Sequence, residues 1–508
     1  MRVFEFEMQT IGKNREYFWH QNGNSTHHMR VFSFIRDGYQ LKPIEVEVSF
    51  MTGIPTIHFL GLPDTVIKES VLRIKSALKT HGYQLPKAQQ VIVNLRPAHL
   101  KKQSCGIDFA VACAFLWSSG LVPVPQSKNG RVYVYGELGL DGQVSLPDDF
   151  DGLLHLHEEE TIITGPPNGK PLFFDIFSAN SIKDLSALCF HKKATGEYNL
   201  VPPLAKSEML FTNEVAEVLA VLATGEHHAM LAGPAGSGKS TMAEALYLLL
   251  KSPNENQFRF SQQIHRIMGQ TLHWRPYVCP HHTTTPIAMI GGGAPIFPGE
   301  ITRAHGGLLV MDEFLEFHPK VQEALREPIE KGEIHISRRG YRQTLPAGFL
   351  LVATTNLCPC GDYVPGVYKN CRFSLRKCRS HMERLSGPIL DRFDVAYFTY
   401  GKREERTVSI QSIKEKVIQA QEFAKTKRNQ SCLNRELKAN QVEKDLDRFV
   451  FENLMPTSTN SLRRRLALLK VARSIADIDQ SSTIEPEHIE RAAHLSLYPF
   501  EKLRRGDP

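Results

Sequence analysis

One octapeptide constrains this chain more than anything else in it. Gly233, Pro234, Ala235, Gly236, Ser237, Gly238, Lys239 and Ser240 give the spacing G-x-x-x-x-G-K-[ST], between the short apolar run AMLA and an amphipathic stretch that opens at Thr241. A strand before the loop and a helix after it is the context this motif requires. The glycines let successive backbone N–H groups turn inward and cradle phosphate at a helix N-terminus. Lys239 then reaches the β and γ phosphates, and the Ser240 hydroxyl ligates Mg²⁺. The expected cofactors are therefore ATP and Mg²⁺, bound along Gly233 to Thr241.

Two further apolar runs end in polar residues. GGLLVMDEF reads as a buried strand closing on Asp312 and Glu313, where Asp312 would hold the magnesium shell and Glu313 would polarise the attacking water. A core strand that merely ends in two surface acids is the alternative. FLLVATTN ends in Asn356, which could orient that water against the γ phosphate.

At 508 residues the chain has room for about three domains of roughly 100 to 200 residues. Hydrophobic residues at 42% and charged residues at 23% exclude wholesale disorder and collagen-like architecture. No window holds about 18 uninterrupted apolar residues, and Glu5, Glu7 and Lys13 stand where a signal peptide needs an apolar run, so a cytoplasmic protein is expected. The net charge of +7 is unevenly placed: Arg326 to Arg384 carries eleven Lys or Arg against five Asp or Glu. Such a field suits a polyanion, and equally a solvated basic face.

Residues 1–28 read as a tail or as the product of an early start codon, since the opening MRVF returns at Met29 to Phe32. Residues 29–200 alternate strand-like runs (IEVEVSF, QVIVNL, RVYVYGEL, TIIT) with helix-like ones (TVIKESVLRIKSALKTHG, GIDFAVACAFLWSSG), which indicates an α/β domain. A linker at Val201, Pro202 and Pro203 opens a second α/β unit, residues 201–400, and helical periodicity returns in 401–508.

The runs YVCPHHTTTPIAMIGGGAPIFPGEITRAHGGLLVMDEFLEF, ALREPIEKGEIHISRRG, ATTNLCPCG and SGPILDRFD together resemble the ComM/YifB family of magnesium-chelatase-like AAA+ ATPases. The likeness implies an α/β multidomain chain. Its parts are a Lon-protease-like N-terminal domain of the ribosomal S5 domain 2-like type, an AAA+ core with a helix-2 insertion near Ile287 to Pro298, and a C-terminal helical lid. Residue by residue it makes Asn356 sensor 1 and Arg392 the arginine finger offered to a neighbouring subunit. Arg463 would be sensor 2, with Arg464 and Arg465 competing for that role. A fixed guanidinium suits the charge that develops on a γ phosphoryl group. The sequence departs from the family pattern at Leu357, where proline is usual, and at Thr302 and Arg303, which replace a Ser-Leu pair. In the Lon-like block, Lys102, Gln103, Ser104, Cys105, Gly106 puts glycine at the nucleophile position, so no peptidase is expected.

Cys358, Cys360, Cys371 and Cys378 form C-x-C-x(10)-C-x(6)-C, a density of thiols that suits tetrahedral Zn²⁺, with His381 able to replace one ligand. Four unconnected thiols are the alternative. EIHISRRGYRQTLPAGFLL reads as a β-hairpin whose turn offers Arg338, Arg339, Tyr341 and Arg342 to phosphates and bases. Two readings follow. One is a hexameric ATP-driven helicase that migrates branched or single-stranded DNA in homologous recombination or natural transformation. The other is a chelatase-like ATPase that remodels a protein partner.

Overall fold

The computed structural model describes residues 30–37, 40–60, 65–97, 106–125, 131–148, 150, 160–169, 172, 175–192, 200–204, 209–293, 296–338, 341–361, 373–374, 376–377, 380–381, 384, 387–399, 405–446 and 462–496. The expected tail lies outside them. The chain divides into two units, residues 1–198 and 199–508.

In the first unit the strands are β1 (Arg30–Asp37), β2 (Gln40–Thr52), β3 (Ile57–Leu60), β4 (Gln89–Arg96), β5 (Arg131–Val134), β6 (Glu137–Leu138), β7 (Val144–Ser145), β8 (Thr161–Thr164), β9 (Ile176–Ser178) and β10 (Cys189–His191). Eight of them form a mixed sheet in the order β10-β9-β8-β5-β1-β2-β4-β3, while β6 and β7 pair separately. Helices α1 (Thr65–Thr80) and α2 (Ile107–Ser118) pack against one another. Every residue of α2 from Ile107 to Trp117 is buried, because the helix is apolar all round and forms the middle of this unit's core. The single acid in that run, Asp108, accepts from the backbone N–H groups of Phe109 and Leu138 and lies 3.2 Å from Arg73. Burial pushes its carboxyl up to about 7 in spite of that guanidinium.

The second unit is built on a five-stranded, wholly parallel sheet. Its strands, in sheet order, are Tyr277–Val278, Leu308–Met311, Leu350–Thr355, Ala229–Ala232 and Val395–Phe398. The runs AMLA, LLVM and LLVATT of the three inner strands, and VAYF at one edge, are buried at every position, as a sheet covered on both faces demands. One face is covered by Asn213–Gly225, Lys239–Leu249, Ile410–Lys427 and Leu462–Ile478, whose apolar residues share a single core with the strands. The periodic stretch expected from Lys402 becomes helical only at Ile410. Val408–Ser409 first pairs with Leu210–Phe211, and Ser409 then caps the helix by accepting from the Ser412 N–H. Near the expected helix-2 insertion, Pro286–Ile290 is followed by Gly291–Gly292, which pairs with Phe297–Pro298.

Candidate functional site

Register decides what meets what in the second unit. Ala229 to Ala232 pairs with Val352 to Thr355, and Met311 pairs with Ala353, so three strands end within two residues of one another at the same edge of the sheet. The phosphate loop, Asp312 with Glu313, and Asn356 leave the sheet there. Helix Lys239–Leu249 starts after Gly238, whose φ of 93° is a backbone that only glycine adopts freely. Gly233 is required for another reason: a Cβ there would lie 2.1 Å from Thr399 Oγ1. Thr399 also meets Ser237, hydroxyl to hydroxyl, at 2.5 Å. Ser240 and Thr241 are exposed on the first helical turn.

Lys239 is buried, and its ammonium donates to the carbonyls of Gly233 (2.9 Å) and Pro234 (2.7 Å) and to Asn356 Oδ1 (3.2 Å). Desolvation lowers its pKa, against the pull of Asp312 and Glu313. Thr354 Oγ1 donates to Asp312 Oδ1 at 2.5 Å and accepts from the Glu313 N–H at 3.1 Å, so one hydroxyl orients both acids. Glu313 stands at φ 55°, ψ 50°, its carboxylate half exposed and 3.7 Å from His282 Nδ1. The loop after Asn356 folds over the phosphate loop, with the Ala235 N–H donating to Gly361 O at 2.7 Å. These groups suit a nucleoside triphosphate with its metal: backbone N–H groups and one ammonium for phosphate, a hydroxyl and a carboxylate for Mg²⁺, and a half-exposed carboxylate for water.

Arg392 and Arg463 are brought together, but not here. Both guanidiniums donate to Glu330 Oε1, Arg392 at 2.6 Å. They line a cavity of about 890 Å³ with His228, Gly348, Phe349 and Asp394. Those four residues directly precede the strands that begin at Ala229, Leu350 and Val395, so the cavity lies at the sheet's N-terminal edge, opposite the phosphate loop. Four strand residues, about 13 Å, separate the two edges. Of the competing arginines, Arg464 reaches Asp391 at 2.5 Å, and Arg465 lines the same cavity.

The Cys358 and Cys360 sulfurs are 3.1 Å apart, and Cys358 is buried. Cys371 and Cys378 lie outside the described residues. Among the described residues, no group of three His, Cys, Asp or Glu is placed to hold a metal ion. His381 instead directs Nε2 to Asn356 O at 3.2 Å. The expected hairpin forms from Glu333–Arg338 and Tyr341–Pro346, closing on the pair Arg338 and Tyr341. Arg342 is exposed, whereas Arg339 and the side chains of Arg338 and Tyr341 lie outside what is described. In the first unit, Lys102 to Cys105 also fall outside, and a Cβ on Gly106 would come 2.4 Å from the Tyr135 ring, leaving no room for a side chain. Among the described residues, no helix is long and apolar enough to cross a membrane.

Sequence reasoning missed Thr354, Thr399, His282 and Glu330. Only the Thr354 hydroxyl carried a signal, the polar pair inside an otherwise apolar strand.

A parallel sheet that gathers a phosphate loop, paired acids and a polar strand end at one edge defines an AAA+ ATPase, using ATP and Mg²⁺. Family models agree: magnesium chelatase subunit ChlI matches residues 207–407, subunit ChlI of Mg-chelatase matches 46–155, and the ChlI C-terminal model matches 407–496. The YifB protein of Salmonella typhimurium is 32% identical over 488 residues, covering 90% of this chain and 94% of its own. Competence protein ComM of Haemophilus influenzae is 29% identical over 496 residues, with 91% and 96% covered. A shorter likeness, 23% over 217 residues, joins it to the maternal DNA replication licensing factor mcm6 of Xenopus tropicalis, covering 39% of this chain and 25% of that protein. The chain belongs to the ComM/YifB family of magnesium-chelatase-like ATPases.

Proposed function

We propose that this ATPase is a ring-forming DNA motor, a hexameric helicase that promotes branch migration in homologous recombination or natural transformation. The observation that carries the reading is the separation of Arg392 and Arg463 from their own phosphate loop by the depth of the sheet. Hydrolysis that needs a guanidinium then needs a second subunit, and a ring supplies one at every interface. Within each site Lys239 holds phosphate, Ser240 and Asp312 hold Mg²⁺, Glu313 takes the proton of the attacking water, and Asn356 positions that water. Mg²⁺, when bound, offsets charge on the phosphates. Arg392 and Arg463 act on the neighbour's nucleotide as finger and sensor 2. Residues 29–200 form an inert Lon-like platform, 201–400 the ATPase core and 401–508 the lid, in a cytoplasmic protein.

DNA as substrate is supported by the exposed Arg342 on the hairpin, by the basic excess around it, and by a competence protein and a replication factor among the relatives. The second reading, a chelatase-like remodeller of a protein partner, is favoured by the three chelatase family models. Replacing Arg338, Arg339 and Arg342 with Glu separates them. A DNA motor loses DNA affinity, with a salt slope flatter by roughly 0.7 to 0.9 per lost phosphate contact, and keeps its basal ATPase. Unchanged affinity and slope in the triple variant would favour the protein remodeller. We also propose Zn²⁺ on Cys358, Cys360, Cys371 and Cys378, a density of thiols that suits a tetrahedral site.

A further inference from the structure

We infer that Glu330 is a latch: its carboxylate holds the arginine finger and the lid arginine inside their own subunit and yields them when a neighbour's triphosphate arrives. This rests on the reading of Arg392 as a finger acting in trans. A finger must present its guanidinium to another chain, yet the Arg392 side chain is only 12% exposed. Each of its nitrogens is engaged: Nε with Arg326 O at 3.4 Å, Nη1 with Pro388 O, and Nη2 with Glu330 Oε1 at 2.6 Å. Arg463, 133 residues away from Glu330 in sequence, donates to the same carboxylate oxygen.

Two cations on one oxygen repel each other, so the carboxylate is what keeps them together. An incoming phosphate offers the same chemistry, a planar fork meeting anionic oxygens, with more charge. The exchange is therefore a competition of anions for two guanidiniums, and Glu330 sets the threshold that a neighbour's nucleotide must exceed. Glu330 also sits on the helix Arg326–Lys331, which turns at Gly332 (φ 70°) directly into the Glu333–Arg338 hairpin strand. Its release thus loosens the hairpin's root at the moment the finger engages.

The experiment compares wild type, Glu330→Gln, Glu330→Ala, Arg392→Ala and Glu330→Gln/Arg392→Ala in steady-state ATPase assays without DNA. Folding of each variant is checked by thermal denaturation. Both Glu330 variants should raise kcat about three- to tenfold, the size of one or two partly exposed ion pairs, with KM for ATP no higher than in wild type. The two Arg392→Ala proteins should be inactive. Lowered or unchanged kcat in folded Glu330→Gln and Glu330→Ala, with Arg392→Ala inactive, overturns the latch and leaves the finger standing. Full activity in Arg392→Ala removes the finger itself, and the latch with it.

Discussion

Thr354→Val tests whether one hydroxyl organises the hydrolytic acids. Valine matches threonine in shape and keeps the buried strand Leu350–Thr355 intact, so the change deletes hydrogen bonds and little else. Two bonds go: the 2.5 Å donation to Asp312 Oδ1 and the acceptance of the Glu313 N–H at 3.1 Å. A hydrogen bond to a charged group contributes roughly 1.5 to 3 kcal/mol. If that energy serves to hold Asp312 toward the metal and Glu313 toward water, its loss slows turnover roughly ten- to hundredfold. Nucleotide affinity, which the proposed function assigns to Lys239 and the phosphate loop, should change by less than about twofold. The assay is ATPase activity across a Mg²⁺ titration, beside binding of a fluorescent ATP analogue. The half-saturating Mg²⁺ concentration should rise, and Thr354→Ser, which keeps the hydroxyl, should restore most of the rate. A folded Thr354→Val protein turning over within twofold of wild type would show that the acids are positioned by something other than this hydroxyl.

Lys239→Ala should abolish nucleotide binding, whereas Glu313→Gln should bind ATP and fail to hydrolyse it; equal loss of binding in both would contradict the separate roles given to them. Protein purified without chelator should carry about one zinc per chain and lose it when Cys358 and Cys360 become Ser, which metal analysis decides. The two units should respond to acid in opposite directions. Asp108, raised by burial to about 7, favours the folded first unit while protonated, so that unit should lose stability as pH rises from about 4 to 7. Burial also pushes Glu226 up, but the Arg275 guanidinium at 2.6 Å outweighs it and holds the carboxyl at about 2, so the second unit should lose stability as pH falls from about 4.5 to 2. Calorimetry of the full chain reads both, the second unit being the transition that Mg-ATP raises, and Asp108→Asn should flatten the change in the other between pH 5 and 7.

What could be read from the sequence was whatever leaves a local trace. The phosphate loop, the strand ends at Asp312 and Asn356, the hairpin and the long helices each announce themselves within twenty residues, through spacing or periodicity. The ends of elements were less legible: the helix at Ile410 starts late because its approach is tied to Leu210–Phe211, a partner some two hundred residues upstream. Thr354 and Glu330 are ordinary residue types whose importance comes from distant neighbours. Thr354 reaches Asp312 because adjacent parallel strands are in one register, and Glu330 meets Arg392 and Arg463 across separations of 62 and 133 residues. The resemblance to a known family named the two arginines, but only the fold puts them on the same carboxylate.

The left-handed backbone at Glu313 sets fitness against robustness. An L-residue in that conformation costs about 1 to 2 kcal/mol, and the structure accepts the cost at the residue that would activate water. Glycine would adopt φ 55° without strain, so Glu313→Gly should fold as well as the natural chain or better, and hydrolyse nothing. Any screen that rewards heat tolerance alone would drift toward that substitution, so a stabilised form of this ATPase has to be selected on turnover as well as on melting temperature.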